Sequence, residues 1–212
     1  PKLKRFPTDS GKLEFFTDEL ENKFSAYGLS ALPEFYGDKE SLINMPHLEV
    51  IDDDSESGIL GPFASGGLSI RGKIVSPKRP GSNTEAIQEG YNLELITGRP
   101  AAPHFHSWTH YSWQSQEMWP DLYVQIHPTT AENLGVKDGA LVSIESRHGS
   151  IHARAWLYNG MRPTSVFIPI GWGERQPFSK WNSVNFLTDK TQRDPISEQT
   201  NLKSLLCRVK PI

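Results

Sequence analysis

The chain has 212 residues, with 22 lysines and arginines against 25 aspartates and glutamates and a formal net charge of −3. That balance leaves no electrostatic footprint for nucleic acid or an anionic membrane surface, and no apolar stretch approaches the length of a membrane-spanning helix. A hydrophobic content of 36% excludes a disordered chain, so an anionic ligand has to be held by locally placed cations on a folded domain.

The single cysteine, Cys207, excludes an internal disulfide and any cysteine cage for zinc or an iron–sulfur cluster. Its neighbours Leu205, Leu206 and Val209 mark it as a buried strand cysteine, inert for want of thiolate. The sequence opens at Pro1 and its first methionine is Met45, so it is expected to be a piece of a longer polypeptide. Any targeting signal would lie upstream.

Residues 2–31 begin with a turn at Asp9-Ser10-Gly11, followed by a strand-like run over 12–16. A helix is expected from Thr17, which caps an acidic first turn at Asp18 and Glu19, with a stop near Gly28. Ser10-Gly11-Lys12 matches the tail of a phosphate loop, but the earlier glycine is missing and the lysine precedes its own strand, so a hairpin turn is the better reading. From 32 to about 90 the pattern weakens into a solvated connection with an acidic run at 52–57. That run lacks the glycine and closing glutamate of a calcium loop.

The run 91–96 reads as a strand that stops in a glycine turn at Thr97-Gly98-Arg99. Backbone N–H groups past the last ladder bond have no sheet partner, and Arg99 adds a planar fork of donors suited to phosphate. The aromatic rings that follow, in His104-Phe105-His106-Ser107-Trp108, can stack on a flat heterocycle. This is equipment for the diphosphate and ring of a large anionic cofactor. In an extended segment His104 and His106 also share one side with His110 close by, which suggests zinc, but no acid or cysteine nearby completes such a site. Packing with bonds to backbone is the remaining reading of these histidines.

Further strands are expected at 122–126, 141–145, 151–157 and 166–170, the second and third joined by a turn at 147–150. Pro169 argues that one side of its strand is unpaired or bulged. One short helix starts at Pro128, carries Ala131 and Leu134 on one face and stops at Gly135; Lys137-Asp138-Gly139 then turns into the next strand. Short strands with few helices imply a mainly β protein whose closed barrel removes exposed edges, spanning 91–212, with 1–90 an N-terminal extension and linker. Trp108, Trp113, Trp119, Trp172 and Trp181 are expected mostly to pack under long loops, with Trp172 and the loop 173–178 bordering a substrate funnel.

Several motifs together carry a family resemblance: Thr97-Gly98-Arg99 followed by His104 to Ser107; Val124 to Pro128; Ala131 to Gly139; Gly171-Trp172-Gly173; Val184 to Thr188; and Asp194 to Ser197 leading to Lys203 and Cys207. Upstream, Phe6 to Glu14 joins them. The chain resembles the C-terminal domain of molybdenum and tungsten bis-pterin oxidoreductases, the dimethyl sulfoxide reductase superfamily. The resemblance implies a six-stranded double-psi β-barrel, like that of aspartate decarboxylase, clamping a molybdopterin guanine dinucleotide cofactor (bis-MGD, with Mo or W).

Carried over, Thr97, Gly98 and Arg99 contact a pyrophosphate or the pterin end, and His104, Phe105, His106 and Ser107 line the same cofactor. Asn185 hydrogen-bonds the pterin and Lys203 reaches a polar edge or phosphate. His127 stands where the family usually has asparagine, Ser107 where threonine is common, and the loop 100–103 differs in length from some relatives. The resemblance places the metal-ligating residue and iron–sulfur cysteines upstream, so the chain is expected to hold no catalytic residue or metal ligand and to be inactive alone. Partners implied are the upstream domains of the same catalytic subunit and an iron–sulfur electron-transfer subunit. Two other functions stay open from the residues: a non-catalytic double-psi barrel recognising a partner or substrate through Arg99 and the aromatic loop, and a small metal-dependent enzyme using the histidines.

Overall fold

The computed structural model describes residues 5–25, 29–32, 42, 47–50, 72–75, 84–100, 104, 107–174, 176, 179–189, 199–200, 202–203 and 205–212. Its strands are β1 (His47–Val50), β2 (Gly72–Val75), β3 (Leu93–Gly98), β4 (Tyr123–Ile126), β5 (Leu141–Glu145), β6 (Ser150–Leu157), β7 (Ser165–Pro169) and β8 (Leu205–Pro211). Its helices are α1 (Asp18–Phe24), α2 (Thr84–Gln88), α3 (Trp113–Met118) and α4 (Pro128–Leu134), with 3-10 turns at Ser107–Tyr111 and Val184–Leu187.

Strands β3 to β8 close into a six-stranded barrel in the order β3-β7-β4-β6-β5-β8. The pairs β3–β7 and β4–β6 are parallel and the other pairs antiparallel, so the chain crosses over to make each parallel pair. Alternation drives the closure. Leu93, Leu95 and Thr97 of β3, Val142 and Ile144 of β5, and Ile151, Ala153 and Ala155 of β6 are buried at every second position. Val124, Ile126, Val166, Ile168, Leu205 and Cys207 complete an interior with no polar ladder edge open to solvent. Burial pushes the Cys207 thiol far above its ordinary pKa, which keeps it protonated.

Strand direction divides the barrel into two ends. The C-terminal ends of β3, β5 and β7 and the N-terminal starts of β4, β6 and β8 share one end. The opposite end carries α4. There His127 caps the helix by accepting the Thr129 N–H at Nδ1, at 3.2 Å, and Gly135 ends it in the left-handed conformation at φ 68°. Pro169 closes β7 beside Gly98, beyond the β4 ladder, which pairs only Phe167 and Val166, so its missing N–H costs no bond on that side.

Three expectations change. The run 12–16 is irregular rather than a strand: among the described residues no strand pairs with it, and Phe15 is exposed. Helix α1 begins at the Thr17 cap as expected but ends at Phe24, short of Gly28, which lies outside the described residues together with the acidic run 52–57. The connection 32–90 is not wholly irregular: β1 pairs with β2 and α2 precedes the barrel. Arg147 bonds Glu89 at 3.2 Å, and Arg208 donates to the Glu89 carbonyl at 2.8 Å, tying α2 to the barrel wall.

Candidate functional site at one end of the barrel

Strand β3 delivers Thr97, Gly98 and Arg99 to the barrel end in succession. Thr97 is buried; its backbone N–H donates to the Leu202 carbonyl at 3.2 Å and its hydroxyl donates to the same oxygen. This double contact fastens the segment entering β8 to the end of β3. The segment that carries Lys203 therefore runs alongside the end of β3, and Arg99 and Lys203 are both exposed. Gly98 accepts from the Ile170 N–H at 2.8 Å, and a Cβ there would meet the Phe167 ring at 3.0 Å, so the absent side chain lets β3 and β7 stay level as they end.

His104 is buried. Its Nε2 lies 3.0 Å from the Trp119 carbonyl, which can only accept, so Nε2 carries the proton. Its ring stacks on His110 at 3.8 Å between centroids and 12° between planes, and both rings meet the edge of Trp172. Burial lowers the His104 pKa against the opposing pull of the Trp119 and Ser115 carbonyls. Burial, then the neighbouring His104, brings His110 down to about 4. The backbone of Gly171 lies directly against His110, and a Cβ on it would fall 2.3 Å from Nε2. Gly171 also holds φ at 121°, a region side chains rarely adopt.

Ser107 opens the 3-10 turn that carries His110, while Phe105 and His106 lie outside the described residues. Asn185 is exposed on the 3-10 turn Val184–Leu187, which rests on the β5–β6 turn: Ser146 Oγ donates to the Leu187 carbonyl at 2.9 Å, and a Cβ at Gly149 would meet the Phe186 carbonyl at 2.5 Å. Thr97, Gly98, Arg99, His104, Asn185 and Lys203 thus all come from elements at one end, though their sequence positions span more than half the chain. Trp119, Trp172 and Trp181 pack inward as expected, but Trp108 and Trp113 are exposed. Trp172 is buried against His110 and Tyr123, and Arg175 and Phe178 of the loop expected to border a substrate funnel in the full enzyme lie outside the described residues. His110, weighed in the sequence only as a neighbour of His104 and His106 in a zinc set, instead stacks on His104 and lies against Gly171.

The profile of the molydopterin dinucleotide binding domain matches residues 93–206, which run from the start of β3 into β8. The chain belongs to this family. This is the cofactor-binding domain found in molybdopterin oxidoreductases of the dimethyl sulfoxide reductase superfamily, and the mainly β closed barrel is the fold expected from the sequence. Similar curated proteins include a putative formate dehydrogenase of Bacillus subtilis, 30% identical over 124 residues, covering 56% of this chain and 12% of the relative. The assimilatory nitrate reductase catalytic subunit of the same organism is 32% identical over 139 residues, covering 65% and 19%. Dopamine dehydroxylase of Eggerthella lenta is 32% identical over 143 residues, covering 64% and 14%. The chain therefore spans less than a fifth of the length of these relatives. Among solved structures, acetylene hydratase from Pelobacter acetylenicus shares the fold at a TM-score of 0.64 and 19% identity, over 99% of this chain and 25% of that one.

Proposed function

We propose that this domain clamps a molybdopterin guanine dinucleotide within a larger molybdenum or tungsten oxidoreductase, with Arg99 and Lys203 facing its phosphates and Asn185 its pterin. The supporting observation is the Thr97–Leu202 contact, which holds the segment carrying Lys203 against the strand that leads into Arg99. A guanidinium and an ammonium suit a diphosphate, and the amide of Asn185 matches a pterin edge because it both donates and accepts. When bound, the cofactor supplies the redox chemistry; these residues supply position and charge.

The exposed Trp108, Tyr111, Trp113 and Met118 at the same end favour burial against the other domains of the same catalytic subunit. By the family resemblance, an iron–sulfur subunit delivers or removes electrons in the assembled enzyme. The test is the cofactor content of the full-length enzyme carrying Arg99→Ala: a loss of bound pterin supports the reading, and full retention by both Arg99→Ala and Lys203→Ala overturns it.

A further inference from the structure

In the 3-10 turn Val184–Leu187 the two end residues, Val184 and Leu187, are buried in the core, and Asn185 and Phe186 between them are exposed. Ser183 Oγ accepts the Asn185 N–H at 3.3 Å, and the Asn185 carbonyl accepts from the Thr188 N–H at 3.2 Å and the Thr188 hydroxyl at 3.0 Å. The backbone of Asn185 is thus held on both sides, while its side-chain amide makes no hydrogen bond among the described residues.

A second turn, from the barrel wall, sets the height of the first. The Ser146 N–H bonds the Gly149 carbonyl at 2.9 Å and closes the β5–β6 turn. The Ser146 hydroxyl is buried and used both ways: it accepts the His148 N–H at 3.1 Å and donates to the Leu187 carbonyl at 2.9 Å. The Phe186 carbonyl oxygen lies 2.5 Å from where a Cβ on Gly149 would stand. Because the Phe186 ring is exposed, this close approach does not serve to bury it; its effect is to seat the Asn185 turn flush on the β5–β6 turn.

We propose that Ser146 and Gly149 are positioning residues of the cofactor site, holding Asn185 at the height from which its amide meets the pterin. This rests on the cofactor reading above. An amide that has to match a donor and an acceptor on one flat ring tolerates little displacement, since hydrogen bonds weaken steeply as distance and angle depart from ideal. Loss of the Ser146 hydroxyl frees the Leu187 carbonyl, and a methyl group at 149 pushes the Phe186 carbonyl outward. Each change displaces Asn185 through its backbone.

The experiment uses the full-length enzyme carrying Ser146→Ala, Gly149→Ala, Asn185→Ala, the pair Ser146→Ala and Asn185→Ala, or Arg99→Ala. Thr130→Val is the control: the buried Thr130 hydroxyl donates to the Pro163 carbonyl at 2.6 Å, a comparable bond at the opposite end of the barrel. The readouts are the rate of pterin release on warming and the melting temperature of the cofactor-free form. Ser146→Ala and Gly149→Ala are each expected to speed release about fivefold, the scale of one hydrogen bond. Thr130→Val should lower the melting temperature to a similar degree and leave release at the wild-type rate. The double variant should release no faster than Asn185→Ala alone, as it must if Ser146 acts through Asn185. Release unchanged by Ser146→Ala, additive effects in the double variant, or equal acceleration by Thr130→Val overturns the proposal. Should Gly149→Ala not accumulate, the Ser146 variants decide alone. If Arg99→Ala speeds release and Asn185→Ala does not, the positioning role fails and the phosphate contact stands; if neither does, the cofactor reading fails with it.

Discussion

Thr97 holds the carbonyl oxygen of Leu202 twice, through its backbone N–H and through its hydroxyl, across 105 residues of chain. The threonine is thereby a fastener for the segment that presents Lys203. Thr97→Val keeps the shape and the N–H bond but deletes the hydroxyl, which costs about 1 kcal/mol and lowers the melting temperature by about 2–4 °C for a domain of this size. In the full-length enzyme the same change should loosen cofactor retention more than its small effect on stability accounts for. A melting curve beside a pterin-release rate separates the two effects.

Arg99 and Lys203 are both cationic, yet their chemistry differs. The guanidinium offers a fixed planar fork to two oxygens at once, and the ammonium acts as a mobile point charge. Arg99→Lys should therefore weaken pterin dinucleotide retention about tenfold, a loss of roughly 1.4 kcal/mol, whereas Lys203→Arg should be tolerated. Equal losses from the two swaps would show that charge alone, without the fork, decides the affinity. Release rates measured at two salt concentrations provide the check.

The barrel was legible because its strands write their burial in period two; Leu141 to Glu145 and Ile151 to Leu157 alternate in sequence and in the structure alike. The cap at Thr17 was readable for the same local reason, whereas Gly98, expected in a turn, closes β3 within the ladder opposite Pro169. The strand expected over 12–16 failed because an alternating pattern does not make a strand without a neighbour to pair with. Helix α3 and the 3-10 turn at Ser107–Tyr111 were not foreseen, since their residues Ser107 to Met118 carry aromatics without helical periodicity. The meeting of Leu202 with Thr97, and of His110 with Gly171, is set by tertiary closure and leaves no local trace in either segment.

The buried imidazoles give the domain a definite acid sensitivity. His110 titrates at about 4 against an ordinary 6.5, through burial first and His104 second. In the unfolded chain it takes up its proton near 6.5, so between pH 6.5 and about 4 the unfolded state binds more protons and stability falls as pH falls. His104, also lowered, acts in the same direction. Glu145 sits below its ordinary 4.5 because Lys210 and Arg208 hydrogen-bond it; its stabilisation is present above that value and is lost as pH falls through the lower folded one. His110→Gln should flatten the dependence of the urea midpoint on pH between 6.5 and 4.5 while leaving the loss at lower pH in place. Glu145→Gln should do the reverse. An unflattened profile in His110→Gln would place the titration on another group.

At the far end of the barrel, His127 occupies the position where relatives commonly have asparagine, and it does the work of a helix cap. Its Nδ1 accepts the Thr129 N–H, which requires the ring proton to sit on Nε2. Asparagine offers a carbonyl oxygen for the same bond at a shorter reach, so His127→Asn should leave stability unchanged or raise it slightly. His127→Ala removes the acceptor and costs about 1 kcal/mol. Because the cap lies at the end away from Arg99 and Lys203, neither change should alter cofactor release from the full-length enzyme. Thermal unfolding of the histidine, asparagine and alanine forms measures both stability changes, and an alanine form as stable as the histidine form would mean that the cap bond contributes nothing.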